Sequence, residues 1–89
     1  MLARRYVLKG RVQGVGFRYF VCRAAQNLGI RGWVRNLEDG TVEVHAQGGS
    51  ETMTRFVAEI RSGPSFAIVE DIQEDDAQTE DYEDFFIEG

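Results

Sequence analysis

The sequence predicts an α+β sandwich: an antiparallel sheet with two helices on one face, chain order βαββαβ, and a short extra strand at the C-terminal end. Three observations carry this. Apolar and polar residues alternate with period two in Arg5–Val12 and Thr41–Gln47. Apolar residues recur at helical spacing after Phe17 and again from Met53 to Ile60. The chain has 89 residues, 43% of them apolar, which suits one small compact core, so residues 1–89 are expected to form a single domain.

In Arg5–Val12, Tyr6, Leu8 and Val12 point one way and Arg5, Lys9 and Arg11 the other, as in a half-buried strand; Val7 is the apolar exception on the polar side. From Phe17 the period changes. Phe17, Val21, Ala24 and Leu28 share a helical face, with Phe20 and Ala25 beside it and Arg18, Arg23, Gln26 and Asn27 polar. Gly29 is a natural stop and Ile30 can pack back, so the first helix runs from about Arg18 to Leu28. Ile30–Leu37 follows as a second strand, and Asp39-Gly40 is a hairpin signal. Thr41–Gln47 is the cleanest strand, with Val42, Val44 and Ala46 between Thr41, Glu43, His45 and Gln47. Met53, Phe56, Val57 and Ile60 return to helical spacing, with Ser50 as N-cap and Gly63-Pro64 as the stop. Phe66–Ile72 reads as a fourth strand and Asp84–Glu88 as a short fifth, separated by the polar stretch Glu74–Asp84. Strands with one apolar face and two amphipathic helices fit a ferredoxin-like arrangement. The sheet face away from the helices is expected to carry Arg5, Lys9, Arg31, Trp33, Arg35, Glu43 and His45 and to face water.

Composition narrows the function classes. No apolar run approaches about 18 residues, so no membrane span is expected. Met1-Leu2-Ala3-Arg4-Arg5 leads straight into an alternating segment without a signal-peptide stretch, which makes the cytoplasm the default location. One cysteine, Cys22, and one histidine, His45, argue against a disulfide framework or a structural metal cluster, and no cofactor is implied. The net charge of −5 hides an asymmetry. Residues 1–61 hold all ten Lys and Arg against five Asp and Glu, whereas residues 62–89 hold ten Asp and Glu and no base. Such a split fits an acidic interaction tail, or two regions that attract each other in the fold, or acid that solvates one edge.

The segment Gly10–Arg18, G-R-V-Q-G-V-G-F-R, ends the first strand and opens the first helix. Gly14 and Gly16 free the backbone to curl, and successive N–H groups in such a turn can form an anion nest. The helix N-terminus adds unpaired N–H groups and partial positive charge, and Arg18 is placed to fork onto phosphate oxygens. The same residues also suit an ordinary strand–helix turn with a surface arginine. The segment is not a Walker loop, because no G-K-[ST] ending follows.

Gly10–Arg18 closely resembles the first signature of the acylphosphatase family. Gly32-Trp33-Val34-Arg35-Asn36-Leu37-Glu38-Asp39-Gly40-Thr41-Val42-Glu43 resembles that family's second signature, G-W-V-x-N-x-x-D-G-x-V. Two long motifs at the right separation are far more specific than either alone. The resemblance covers about residues 5–73 and implies the same βαββαβ fold. It implies a hydrolase acting on a small acyl phosphate, a mixed carboxylic–phosphoric anhydride, and binding phosphate or sulfate-like anions; nothing in the sequence demands more than a monomer. By the same resemblance Arg18 is the phosphate-binding arginine and Asn36 positions the attacking water. The backbone N–H groups of Gln13, Gly14, Val15, Gly16, Phe17 and Arg18 form the cradle. Relatives often end with a basic residue after an apolar pair, whereas this chain ends Phe86-Ile87-Glu88-Gly89.

Other residues invite functional readings. His45, between Glu43 and Gln47 on a polar strand face, reads as a solvated residue, not a general base. Cys22 has no visible activating partner and reads as a packing residue. Trp33 reads as packing locally, and the acids of Glu70–Glu88 lack the spacing and glycine of a calcium loop. An RNA-binding domain shares the βαββαβ order, but the third strand carries no aromatic for base stacking, so no nucleic acid is expected. A catalytically quiet anion-binding module is the other alternative.

Overall fold

The structure is a computed structural model and describes residues 1–89. The two periodicities sort the chain into one sheet and one helical layer. The elements are β1 (Leu2–Arg11), α1 (Phe17–Leu28), β2 (Arg31–Asn36), β3 (Val42–Gly48), α2 (Ser50–Ser62), β4 (Ile68–Asp76) and β5 (Phe85–Ile87). The sheet order is β4-β1-β3-β2-β5. The first four strands pair antiparallel, and β5 adds parallel to β2, which makes the sheet mixed. No helix is long and apolar enough to cross a membrane.

The core lies between the helices and the sheet face that carries Tyr6, Leu8, Val34, Val42, Val44 and Ala46. Phe56 of α2 sits at its centre, edge-on to Tyr6 at 6.4 Å and to Phe85 at 6.2 Å. Full enclosure of such a ring contributes about 1.5–3 kcal/mol. Cys22 is buried with its Sγ 3.6 Å from the Phe85 carbonyl, and burial together with the nearby Asp84 charge pushes its thiol pKa up. It packs, as its sequence position suggests, and its thiolate is disfavoured.

Element limits differ from the sequence reading in instructive places. β1 starts at Leu2, three residues before Arg5, because Ala3 pairs with Gln47 and Arg4 with Ala46. β4 starts at Ile68 and runs on to Asp76, past the expected end at Ile72. Its acidic end lies beside the basic start of β1, with Arg4 opposite Asp76 and Arg5 opposite Asp75, and further along Lys9 lies opposite Asp71. Arg4 and Asp76 form an ion pair, and Arg5 Nη1 lies 3.9 Å from Asp75. Part of the charge split along the chain is therefore an attraction between neighbouring strands. The N-cap of α2 is the extended Gly49, not Ser50, which is already helical and makes no capping bond.

The open sheet face departs furthest from expectation. The residues assigned to it do lie there, but Glu43 is only 5% exposed and His45 is half-buried. For His45 the reason is the segment 77–84, which leaves β4 at one edge of the sheet and reaches β5 at the other. Ala77 N–H donates to the Ala3 carbonyl at 3.1 Å. The Gln47 side chain holds the Glu80 backbone twice, at 2.7 and 2.9 Å. Trp33 Nε1–H donates to the Tyr82 hydroxyl at 3.0 Å, and Gly32 N–H to the Asp84 carbonyl at 3.1 Å. His45 is stacked on Trp33 at 5.7 Å and edge-on to Tyr82 at 5.4 Å, with Nδ1 buried and unpartnered. It is an enclosed residue and not the solvated one expected. Trp33 packs locally, as expected.

Glu43 is enclosed from the sides. Arg5 Nε and Arg35 Nε both donate to its carboxylate, the latter at 2.7 Å. Burial works against ionisation, but these bonds and the two positive charges outweigh it and hold the carboxyl below its ordinary pKa.

Candidate functional site

Five residues join β1 to α1. Gly14 and Gly16 both have φ 76°, a left-handed conformation, with open space where a Cβ would lie. Glycine is thus required by the backbone angle and not by lack of room. Gly16 caps α1 without a side-chain hydrogen bond, and the first turn carries no acid. The N-terminal donors of the helix are consequently left unpaired. Outside the regular elements no backbone hydrogen bond has its donor in residues 13–19; the first is from Phe20 N–H to the Gly16 carbonyl, 3.0 Å.

This loop forms one wall of a cavity of about 210 Å³, lined by Val12, Gly14, Gly16, Phe17, Arg18, Tyr19, Asn36 and Ile87. Arg18 and Asn36, eighteen residues apart and on different elements, therefore share one cavity. Arg18 comes from the first turn of α1, and its Nη1 donates to the backbone oxygen of Gly89. Asn36 is the last residue of β2, opposite Val42, and its Oδ1 is buried without a hydrogen-bond partner.

Of the expected cradle residues, Gly14, Gly16, Phe17 and Arg18 line the cavity, whereas Gln13 and Val15 do not. Val15 instead packs against the core. Gln13 turns its side chain away: Nε2 donates to the carbonyls of Leu37 and Thr41, both at 2.9 Å. This bond pair ties the loop to the hairpin that follows Asn36. Asp39 shapes that hairpin, accepting from Thr41 N–H at 3.0 Å and Thr41 Oγ1–H at 2.6 Å, which lowers its carboxyl pKa.

Val12, Tyr19 and Ile87 line the cavity without having been singled out. Tyr19 follows Arg18 in the first helical turn, a signal that was readable. Ile87 reaches the site only because β5 pairs with β2, with Val34 opposite Ile87 and Glu88 N–H donating to the Val34 carbonyl at 2.8 Å. Nothing local in the sequence marks that pairing.

One guanidinium, a run of unpaired N–H groups and one unpartnered amide oxygen suit a tetrahedral oxyanion with a water beside it. Two larger hollows lack this character. One of about 330 Å³ lies between β1, α2 and β4, where Arg4 is already paired with Asp76. The other, about 540 Å³, sets Lys9 among Asp39 and Glu70.

Comparison with known proteins points to one family. A family model described as acylphosphatase matches residues 4–87. An acylphosphatase of Thermotoga petrophila is 44% identical over 87 residues, covering 98% of this chain and 97% of the relative. One from Archaeoglobus fulgidus is 45% identical over 85 residues, covering 96% of each. The crystal structure of acylphosphatase from Bacillus subtilis superposes with a TM-score of 0.97 at 40% identity, over the whole of both chains. Full-length HypF in its phosphate- and nucleotide-bound form contains a similar unit, with a TM-score of 0.88 at 32% identity; it covers 99% of this chain and 12% of HypF. The chain belongs to the acylphosphatase family and is an enzyme of that class.

Proposed function

We propose that this chain, working as one monomeric unit over residues 1–89, hydrolyses acyl phosphates by attack of a water at phosphorus, with Arg18 and the loop N–H groups holding the phosphoryl group and Asn36 holding the water. The observation that carries this reading is the shared cavity: Arg18, Asn36 and the loop residues Gly14, Gly16 and Phe17, whose N–H groups have no backbone partner, all line about 210 Å³.

The chemistry needs no larger cast. Phosphoryl transfer passes through a loose transition state, so catalysis is mostly positioning and charge stabilisation. The water oxygen bonds to phosphorus as the bond from phosphorus to the acyl oxygen breaks. The leaving group departs as a carboxylate whose conjugate acid has a pKa of roughly 4, so it needs no proton from a general acid. The water's proton passes to the phosphate dianion. The unpartnered Oδ1 of Asn36 is suited to accept from that water. Arg18 and the N–H groups stay fixed while charge develops on the phosphoryl oxygens.

Pure protein in EDTA should turn over benzoyl phosphate rapidly and phosphate monoesters barely, because an alkoxide is a poor leaving group. Appreciable turnover of sugar phosphates would contradict the account. No turnover by the folded protein, with phosphate binding retained, would make it an anion-binding module.

A further inference from the structure

We infer that the hollow between β1, α2 and β4 is a second binding site, and that it takes a small protonated amine with a compact apolar body. It is separate from the phosphate loop and independent of the hydrolysis reading. The hollow opens on the first half of β1, at Leu2, Arg4 and Tyr6, whereas the loop follows that strand's other end at Arg11.

Tyr6 carries the inference. It is 1% exposed and its hydroxyl has no hydrogen-bond partner in the protein, yet it lines a hollow of about 330 Å³. A buried phenol hydroxyl usually finds a partner. Burial first, and then the Glu74 charge, push its pKa up to about 12 against the opposing pull of Arg4. The group is therefore a neutral hydroxyl at physiological pH, open to a bond from outside the protein.

Glu74 supplies the charge. It stands opposite Tyr6 across β1 and β4, lines the same hollow and forms no ion pair. Arg4 lines the hollow too, but its guanidinium is held by Asp76. The charge left for a ligand to meet is thus the Glu74 carboxylate. The remaining wall is apolar or already engaged. Met53 and Val57 of α2 line it beside Leu2, and Thr54 Oγ1–H donates to the Ser50 carbonyl at 3.2 Å. An ammonium can donate to the Glu74 carboxylate and to the Tyr6 oxygen while its apolar body lies on Met53 and Val57. A volume of about 330 Å³ is at the small end for ligand pockets, which suits a body about the size of a phenyl ring.

The test follows the Met53 methyl signal and the amide signals of β4 by NMR as 2-phenylethylamine is added at neutral pH, with uncharged 2-phenylethanol as the control. The amine should give saturable shifts at these positions with a Kd of about 1 mM, and the alcohol should bind about fivefold more weakly or worse. Glu74→Gln should weaken the amine about fivefold and bring it level with the alcohol. Tyr6→Phe should weaken the amine about threefold and leave the unfolding midpoint nearly unchanged, because the hydroxyl has no protein partner to lose. Absence of saturable shifts up to about 20 mM amine overturns the site. Equal affinity for amine and alcohol, or undiminished amine binding in Glu74→Gln, overturns the recognition of charge on which it rests.

Discussion

The two polar regions of this molecule treat their hydrogen-bonding groups in opposite ways. On the broad sheet face, the Glu43 carboxylate receives two arginines, the Gln47 amide closes on the Glu80 backbone, and the Trp33 N–H finds the Tyr82 hydroxyl. Only His45 Nδ1 is left over there. At the β1–α1 turn, a run of N–H groups and the Asn36 oxygen are left open around one cavity, with Arg18 among them. Unpaired polar groups cost stability, so their concentration at one end is where function is to be sought. The face that looked open in sequence is partly covered, and the turn read as an anion cradle is the part with unpaired donors.

Substitutions at the two regions should therefore separate activity from stability. Arg18→Ala should lower kcat/KM for benzoyl phosphate by at least about 10²–10³-fold, the usual loss for a preorganised charge-stabilising donor. It should leave the unfolding midpoint nearly unchanged, since the side chain is partly exposed. Asn36→Ala should cost about tenfold or more in kcat and much less in the inhibition constant of inorganic phosphate; wild-type turnover would remove the water-positioning role. Gln13→Leu sharpens the boundary between the regions. It removes two bonds to the hairpin, whose carbonyls keep other backbone donors, so it should cost about 1 kcal/mol of stability and a few-fold in kcat.

On the broad sheet face the expectation reverses. Glu43→Gln should leave kcat/KM within about twofold and lower stability by about 1–2 kcal/mol, through loss of charge-assisted bonds to two half-exposed arginines. The Glu43 carboxyl is held below its ordinary value, so its contribution is fully present above the unfolded glutamate pKa of about 4.3 and is lost as pH falls through the lower folded-state value. Urea unfolding between neutral pH and pH 3 should show a shallower acid decline in Glu43→Gln. An identical decline in both proteins would assign the acid sensitivity to other carboxyls.

Both helices, the hairpin at Asp39-Gly40 and the glycine turn before Arg18 could be read from local spacing, because each is written in a short stretch of sequence. The meeting of Arg18 with Asn36 was legible only through the two motifs together. What could not be read depends on distant pairing. The path of residues 77–84 is set by Gln47, Trp33 and Ala3, on three strands far from it in sequence, so His45 was misjudged as solvated. The extension of β4 to Asp76 reflects charge opposite Arg4 and Arg5, which a strand pattern without alternation does not reveal. Gln13 was placed in the cradle for its N–H, while its side chain does something the local sequence cannot display: it reaches across to Leu37 and Thr41.

The central claim is that the backbone of this loop holds the phosphoryl group, and amide NMR reads that backbone directly. Titrating inorganic phosphate into ¹⁵N-labelled protein should move the N–H signals of Gly14 through Tyr19 and the Arg18 Nε–H signal, with the strap-covered face around His45 and Tyr82 unmoved. Saturable shifts centred on that face or on Lys9, with the loop signals still, would contradict the account.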